Sequence, residues 1–228
     1  MKTLVIDVGG THVKALATGR RGPIKIPSGP KMTAQKMVTE IMNATADWKY
    51  DVVSIGYPGP VVQGLPLKEP HNLAKGWVGF NYKSAFGRPV KIINDAAMQA
   101  LGSYQGGRML FLGLGTGLGS ALIVEGVLEP MELAHLPYRN DRTYEEFLGV
   151  PALEKDGKKK WLKHLAEIVT ILKNAFQADY IVLGGGNARL VEKIPDGARL
   201  GGNENAFLGG FRLWMKAYNR PSTHRFTH

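Results

Sequence analysis

The stretch "LVIDVGGTHVKALA", residues 4–17, decides the fold, because polar and glycine residues interrupt an apolar run at its centre. Four of these residues have no packing use inside a strand: Asp7, Gly9, Gly10 and Thr11. The pattern predicts a strand, a tight turn and a returning strand. Glycines at such a turn permit positive φ and let a ligand approach the backbone closely. We therefore predict that a ligand binds at this turn.

The residue types of the turn indicate a phosphate ligand. The backbone N–H groups of Gly9 and Gly10, together with the Thr11 hydroxyl, can bind phosphate oxygens. Asp7 is placed to hold a hydrated Mg²⁺ against those phosphates, and Lys14 adds a positive point charge. Short glycine turns are common, and this one matches neither the Walker loop nor the dinucleotide fingerprint, so the motif alone is weak.

The composition bounds the class of protein. The chain has 228 residues, of which 44% are hydrophobic and 21% charged, as in a soluble globular protein with one large domain or two lobes. The absence of cysteine excludes disulfides, a thiolate zinc site and a cysteine nucleophile, and fits a reducing cytoplasm. No segment has the length of a membrane span or the pattern of a signal peptide. We therefore expect a cytoplasmic protein with no membrane partner.

The net charge of +10 favours an anionic partner such as nucleic acid, a membrane surface or a polyphosphate. Taken alone, charge favours the simpler alternative of a solvated basic surface without a specific partner. The 29 glycines are more informative, because many of them end apolar runs, where backbone approaches something closely.

Strand-like and helix-like segments alternate along the chain, which predicts an α/β fold. Residues 4–17 also align with "LFLGLGTGLGSALI", residues 110–123, as strand, glycine turn and strand. This echo near the midpoint predicts two related lobes, although two unrelated hairpins are the alternative. We place a small N-terminal lobe at 1–97, with helix 209–218 a candidate to complete it, a larger lobe at 98–208 and a tail at 219–228.

The second turn, "GLGTGLGS", offers Gly115, Thr116 and Gly117 as a nest of N–H donors. It nearly matches a dinucleotide fingerprint, but the strand-like "SALIVEG" that follows excludes that fold context. Two such turns facing each other across a cleft would hold a chain of phosphates. A further run, "LGGGN", ends a buried strand around Gly185, where it fits an adenine or phosphate contact, or a tight turn needed only for packing.

A strand that ends in Asn94 and Asp95 precedes a predicted helix. The Asp95 carboxylate could take a proton from a substrate hydroxyl as general base, and Asn94 could hydrogen-bond the same substrate. The alternative is that Asp95 merely caps the helix that begins at Ala96, which is the commoner role of such a residue.

Two other segments offer polar side chains for a substrate. In "PHNLAKGWVGFNY", Asn72 is a candidate to bind a hydroxyl, or the segment is a surface loop whose Trp77 fills the core. In "MELAHL", Glu132 and His135 are three residues apart, so one helical turn would put them on one face, where they could clamp adjacent sugar hydroxyls. The alternative for this pair is an exposed glutamate and a packed histidine.

Taken together, these segments resemble a known set. "DVGGT", "GYPGPV", "NLAKGW", "IINDA", "GLGTGLGSA", "ELAH" and "IVLGGG" occur in the order found in the ROK family of sugar kinases, within the actin-like ATPase (ribonuclease H-like) superfold. Nearly the whole chain is covered, since "GGNENAFLGGFRLW" is similar to the family's closing segment. The lysine after the first glycines and the basic stretch "KDGKKKWLKH" resemble the polyphosphate glucokinase branch.

The resemblance implies a two-lobed fold with a ligand cleft between the lobes, and Mg²⁺-dependent phosphoryl transfer from polyphosphate or ATP to the 6-hydroxyl of glucose. Asp95 would be the base, and Asp7 would hold Mg²⁺ through water. The sugar would be bound by Asn72, Asn94, Asp95, Glu132 and His135, with Glu145 as an addition. The donor would be bound by Gly9, Gly10, Thr11, Lys14, Gly115, Thr116, Gly117 and Gly185. The resemblance also implies a homodimer.

The chain departs from the family pattern at two places. Many members carry a Cys/His zinc module, but this chain has no cysteine, so we expect no zinc and no metal on His135. Ala134 stands where glycine is usual in "ELAH"; alanine is harmless at negative φ and would distort the site at positive φ.

Several alternatives remain for the activity. They are an ATP-only ROK hexokinase acting on glucose, mannose or another hexose, a catalytically silent sugar-binding ROK protein, and another kinase of the superfold. A ROK repressor would carry an N-terminal helix-turn-helix, whereas this chain starts directly at a strand, so we expect no nucleic acid partner. The charge, Lys14 and the lysines at 158–160 favour polyphosphate as donor, with ATP as a second donor.

Overall fold

The computed structural model describes residues 1–202 and 204–215, and strands and helices alternate along them as the sequence predicts. The strands are, in chain order, β1 (Thr3–Val8), β2 (His12–Ala17), β3 (Ile24–Pro27), β4 (Val52–Tyr57), β5 (Val61–Val62), β6 (Leu65–Pro66), β7 (Val90–Asn94), β8 (Arg108–Leu114), β9 (Leu118–Val124), β10 (Val127–Met131), β11 (Pro137–Arg139), β12 (Arg142–Thr143), β13 (Tyr180–Gly184) and β14 (Ala198–Leu200). The α-helices are α1 (Ala34–Ala44), α2 (Tyr82–Phe86), α3 (Asp95–Ser103), α4 (Glu145–Leu148), α5 (Val150–Asp156), α6 (Lys158–Ala175) and α7 (Asn205–Arg212), and two 3₁₀ turns cover Leu133–His135 and Gly186–Leu190. The predicted α/β class is confirmed.

Two five-stranded sheets have the same strand order, which gives the sequence echo a structural form. The first sheet runs β3-β2-β1-β4-β7 and the second runs β10-β9-β8-β13-β14. In each sheet an antiparallel hairpin closes through a glycine turn, and a parallel strand pairs with the other side of the hairpin's first strand. The two hairpins that align by sequence, β1–β2 and β8–β9, therefore occupy equivalent positions.

The parallel strands gather the polar turns at one edge of each sheet. Strands β1, β4 and β7 are parallel to one another, so their carboxyl ends lie at the same edge. Strands β8 and β13 are likewise parallel and end together, at Leu114 and Gly184. In open α/β sheets this edge is where ligands bind.

Helix α3 packs against both sheets and against α7. An added Cβ at Gly102 would lie 1.8 Å from the Asn205 carbonyl oxygen, and one at Gly209 would lie 1.8 Å from the Met98 carbonyl oxygen. The two helices therefore touch backbone to backbone, which only glycine allows. The hydroxyl of Ser54 on β4 donates to the carbonyl oxygen of Gly210 at 2.6 Å, which fixes α7 on the first sheet.

The domain boundaries stay a prediction. The division placed at residue 97 falls inside α3, which contacts strands of both sheets. The last helix begins at Asn205 and ends at Arg212, rather than spanning 209–218. It packs on β1 and β4, as the completion of the N-terminal lobe requires. Residues 216–218 and the tail at 219–228 lie outside the described residues.

Helices α1 and α6 pack against the first and second sheets, respectively. Thr33 caps α1, because its hydroxyl accepts a hydrogen bond from the backbone N–H of Lys36 at 3.1 Å. On α6, Trp161 is fully buried and donates its indole N–H to the Leu148 carbonyl oxygen at 2.9 Å. The tryptophan of the basic stretch is therefore a core residue. None of the helices in the described part of the chain has the length and apolar character needed to cross a membrane.

Replacing Gly102 with alanine should lower the free energy of unfolding by about 1–3 kcal/mol, because the new methyl group would force α3 and α7 apart. Urea denaturation followed by circular dichroism measures the change. Gly22→Ala is a matched control, since nothing lies within 4 Å of a Cβ at that position and its φ is not positive. Equal unfolding free energies for the two variants would contradict the close helix contact.

Candidate functional site

Asp7 and Asp95 lie close together because Gly56, which lies between them in space, has no side chain. Asp7 on β1 pairs in register with Gly56 on the parallel strand β4. An added Cβ at Gly56 would lie 2.3 Å from the Met98 side chain and 3.7 Å from the Asp95 Cα. The first turn of α3 can therefore pack directly on β4, and this packing brings the Asp95 carboxylate to the edge where β1 ends.

Negative charge exceeds positive charge at this edge. The pKa of Asp95 is raised to about 7, first by burial and then by the negative charge of Asp7, with a smaller contribution from Glu132. Burial also raises the pKa of Asp7, and Lys14, whose Nζ lies 3.7 Å from Asp7 Oδ2, opposes that effect. Carboxylates thus share one site with a lysine as counter-charge. A carboxyl group that titrates near neutral pH suits a general base.

Asn94, rather than Asp95, is the N-cap of α3. The Asn94 Oδ1 accepts from the Ala97 N–H at 3.1 Å, and its Nδ2 donates to the Gly59 carbonyl oxygen at 3.0 Å. The helix begins at Asp95, whose Oδ1 accepts from the adjacent Ala96 N–H at 2.8 Å. The simple capping role considered for Asp95 is therefore wrong. The sugar contacts implied for both residues stay predictions.

The glycines of the first turn are needed for close approach rather than for positive φ. Neither Gly9 nor Gly10 has a positive φ, which corrects the sequence expectation. An added Cβ at Gly9 would lie 2.8 Å from the His12 carbonyl oxygen, and the Gly9 N–H donates to that same oxygen at 3.0 Å. This N–H is therefore engaged inside the turn. The predicted phosphate nest is left with Gly10 and the exposed Thr11.

The first glycine of the second turn is used in the same way. The Gly115 N–H donates to the Gly117 carbonyl oxygen at 3.1 Å, which closes the turn between β8 and β9. Thr116 at its tip is exposed. The N–H groups of Thr116 and Gly117 remain the candidates for donor phosphates, which stays a prediction.

The loop between β6 and α2 lays Asn72 against the first turn. An added Cβ at Gly10 would lie 3.3 Å from the Asn72 Cβ. Trp77 anchors the loop, because it is fully buried and donates its indole N–H to the Met32 carbonyl oxygen at 3.2 Å. The Glu69 carboxylate accepts from the Trp77 backbone N–H at 3.0 Å. The tryptophan therefore fills the core, and Asn72 is exposed beside the turn, where its contact with a substrate hydroxyl stays a prediction.

His135 ends the 3₁₀ turn and Glu132 directly precedes it, and both are exposed. The Leu133 N–H donates to the Ser120 hydroxyl at 3.1 Å, which ties this turn to β9. Ala134 is buried within the turn and has no positive φ, so the alanine does not distort the backbone there.

Two predicted site residues, Glu145 and Gly185, contact the hairpin of β8 and β9. Glu145 accepts from the Leu118 N–H at 3.1 Å, which places its carboxylate on the second glycine turn. Gly185 has φ +81°, and an added Cβ would lie 2.6 Å from the Leu114 carbonyl oxygen, so close packing alone requires a glycine. Its donor contact stays a prediction.

Sequence reasoning missed three residues that shape these turns. The Ser28 hydroxyl donates to the Gly9 carbonyl oxygen at 2.7 Å, and the Asn187 side chain donates to the Gly115 carbonyl oxygen at 3.3 Å. Glu69 anchors the Asn72 loop. Only Asn187 carried a local signal, because it directly follows the third glycine run.

Asp7 and Asp95 are half-buried at this edge. Two surface cavities, of about 400 and 310 Å³, lie elsewhere: one is beside α2, the other between the start of β1 and the end of α7. Among the described residues, no three His, Asp or Glu side chains form a metal cluster. Mg²⁺ keeps most of its waters and needs only one or two carboxylates, so Asp7 beside Asp95 fits such an ion.

Comparison with known proteins gives concordant results. A model of the ROK family matches residues 3–129. Polyphosphate glucokinase from Mycobacterium tuberculosis is 31% identical over 213 residues, which cover 82% of this chain and 78% of that protein. The structure of inorganic polyphosphate/ATP-glucomannokinase from Arthrobacter sp. strain KM has a TM-score of 0.76 at 23% identity, covering 92% of this chain and 96% of the other. A ROK family glucokinase from Streptomyces griseus, in complex with glucose and AMPPNP, has a TM-score of 0.70 at 18% identity, covering 93% and 99%. The predicted two-lobed, actin-like fold class is confirmed.

Replacing Asp7 with asparagine should lower the pKa of Asp95 from its value of about 7, because the neighbouring negative charge is removed while burial remains. Carbon-13 NMR of the Asp95 carboxyl group, followed through a pH titration, measures this shift without reference to activity. Asp196→Asn, at an exposed position, is the control and should leave the titration unchanged. An unchanged midpoint in Asp7→Asn would contradict the electrostatic coupling of the two carboxylates.

Proposed function

Because the chain belongs to the ROK family, we propose that it transfers a phosphoryl group from polyphosphate, ATP or both to the 6-hydroxyl of glucose. The observation that carries this proposal is the pair of carboxylates Asp7 and Asp95 at the shared edge of β1 and β7, beside a glycine turn. The name of the 31% identical relative supports glucose as the acceptor. A cytoplasmic homodimer belongs to the same proposal: the cytoplasmic location is supported by the composition, and the homodimer by the resemblance alone.

Asp95 acts as the general base. Its carboxylate takes the proton of the sugar hydroxyl while that oxygen attacks the terminal phosphorus, and the bond from phosphorus to the bridging oxygen of the donor breaks. The raised pKa of Asp95, about 7, makes the carboxylate a stronger proton acceptor than an ordinary aspartate. Asn72, Asn94, Glu132 and His135 position the sugar.

Lys14 and the N–H groups of the two turns offset the donor's negative charge. Phosphoryl transfer depends mainly on positioning and charge neutralisation, which suits a site of this composition. Asp7 would hold a hydrated Mg²⁺, which supplies further positive charge to the phosphate oxygens.

The lysine run at 158–160 is a weak candidate for the row of basic residues that would bind a polyphosphate donor, which we call the basic track. Lys158 pairs with Glu192, and Lys160 Nζ lies 3.2 Å from Asp156 Oδ1. Two of the three lysines therefore have acidic partners, which weakens the run as a polyanion site.

A cross-strand row offers a better track. Asp7 pairs with Lys14, and Lys14 pairs with Lys25, in the antiparallel register of β1, β2 and β3. Directly paired residues project from the same face at roughly 5 Å spacing. Lys25, which is exposed, therefore extends the positive charge outward from the carboxylate edge. This row fits a donor with phosphates beyond the reach of Lys14.

A coupled assay tests the function by following glucose 6-phosphate with ATP and long-chain polyphosphate supplied in parallel. We expect turnover with polyphosphate, and kcat/KM should rise about tenfold per pH unit below about pH 7 and level off above it, because Asp95 must lose its proton to act. Asp95→Asn should reduce kcat by roughly 10²- to 10⁴-fold.

Turnover with ATP alone would favour the ATP-only hexokinase. No turnover with either donor on glucose, mannose or other hexoses would favour a silent sugar-binding protein. A rate in Asp95→Asn equal to that of the wild type would contradict the assigned base.

Lys25→Ala should raise the KM for polyphosphate by about 2- to 5-fold and leave the KM for ATP unchanged, because an exposed charge contributes modestly and only to the longer donor. The loss should shrink as salt is added. Lys49→Ala is the matched control, an exposed lysine just before β4, at the opposite end of the first sheet from Asp7. Equal effects of Lys25→Ala on both donors would contradict the proposed track.

A further inference from the structure

The chain around α4 and α5 holds the second glycine turn from one side. The Leu118 N–H donates to Glu145 Oε2 at 3.1 Å, and the Val150 N–H donates to the Thr116 carbonyl oxygen at 3.0 Å. Between these bonds, Gly149 packs so closely that an added Cβ would lie 3.0 Å from the same Thr116 oxygen. The turn therefore has little freedom to move relative to α4.

The same segment leads back to the residues proposed to bind sugar. The Tyr144 N–H donates to the Leu136 carbonyl oxygen at 3.1 Å, and Leu136 directly follows His135. The rings of Tyr144 and Tyr138 pack with centroids 5.4 Å apart. Glu145, the next residue, thus connects the chain at His135 to the turn at Leu118.

We propose that Glu145 is a positioning residue for the phosphoryl donor as well as a neighbour of the sugar site. Its carboxylate fixes Leu118 and Gly117, so that the N–H groups of the second turn keep the arrangement that the donor phosphates require. This inference rests on the proposed kinase function. It adds a role for Glu145 on the donor side, where the resemblance implied a sugar contact only.

The space at Gly117 supports this assignment. An added Cβ there would lie 2.1 Å from Glu145 Oε2 and 3.0 Å from its Cδ, so the carboxyl group lies directly on the turn. A hydrogen bond from a backbone N–H to a carboxylate is stronger than one between neutral groups. The negative charge itself repels phosphate, so the acceptor oxygen, rather than the charge, does the positioning.

The first experiment removes the negative charge of Glu145 either together with its hydrogen-bond acceptor or alone. Glu145→Ala removes the acceptor and should raise the donor KM by about 10-fold. Glu145→Gln keeps an acceptor oxygen and should leave the donor KM at or below the wild-type value. Steady-state kinetics with each donor varied at saturating glucose, and glucose varied at saturating donor, separate the two sides. A donor KM that stays at the wild-type value in Glu145→Ala, with only the glucose KM raised, would overturn the inference.

A double-variant cycle tests the contact from the other side. Gly117→Ala should displace the Glu145 carboxylate by direct overlap and raise the donor KM. Because both changes break the same contact, the double variant should be no worse than the more affected single variant. Effects that multiply in the double variant would show that the two residues act independently and would also overturn the inference.

Glu146→Ala is the matched control. Glu146 adjoins Glu145 but is exposed, and its carboxylate accepts from the Thr143 N–H at 2.8 Å instead of from the turn. It should leave both KM values unchanged. Circular dichroism melts confirm that each variant is folded.

Hydrogen exchange keeps the inference testable if the protein turns over no sugar. Mass spectrometry of peptides covering residues 114–119 should show faster exchange in Glu145→Ala than in the wild type or Glu146→Ala. Failed turnover together with faster exchange would reject the proposed function and would still support the role of Glu145 in holding the second glycine turn. Unchanged exchange in Glu145→Ala would show that Glu145 does not hold the second glycine turn, whatever the activity, and would overturn the inference.

Discussion

The architecture depends on the contact of α3 with its neighbours at positions that carry no side chain. Gly56 of the first sheet lies under the first turn of α3, and Gly119 of the second sheet is so close that an added Cβ would lie 2.8 Å from the Ala96 Cβ. Gly102 repeats the arrangement against α7. Because these approaches are at backbone distance, α3 is held in one position relative to both sheets. The position of α3 also sets the position of Asp95, which is its first residue.

The local charge at the site is opposite to the charge of the whole protein. The chain carries +10, yet Asp7 and Asp95 meet at one half-buried edge with Glu132 near enough to raise the pKa of Asp95. Lys14 balances only part of that charge. A bare polyanion would be repelled there, so the proposed donor depends on the turn N–H groups, on Lys14 and on a bound cation. Net charge is thus a poor guide to this site, since two of the three lysines at 158–160 are already paired with acids.

Local patterns predicted much of the fold, because their causes lie within a few residues. The Thr33 cap, the two glycine hairpins and the strand that ends at Asn94 all follow from short-range chemistry. The failures involve partners distant in sequence or distinctions finer than residue type. The engagement of the Gly9 N–H with His12 depends on the exact path of the turn, and the reason for glycine at position 56 is Met98, 42 residues later. The Glu145 contact with Leu118, across 27 residues, could not be read from either segment.

The packing of α7 on β1 also sets an order of events during synthesis. Val5 on β1 is buried against Ala206 and Phe207, and an added Cβ at Gly210 would overlap the Val5 side chain. The ribosome makes β1 first and α7 about 200 residues later, a delay of roughly 10–40 s at about 5–20 residues per second. Throughout that interval the part of the first sheet's face that Ala206 and Phe207 cover, beside Met98 of α3, stays exposed. The packing around β1 and α3 is therefore complete only after α7 has been made, and until then the growing chain is a natural client for a chaperone.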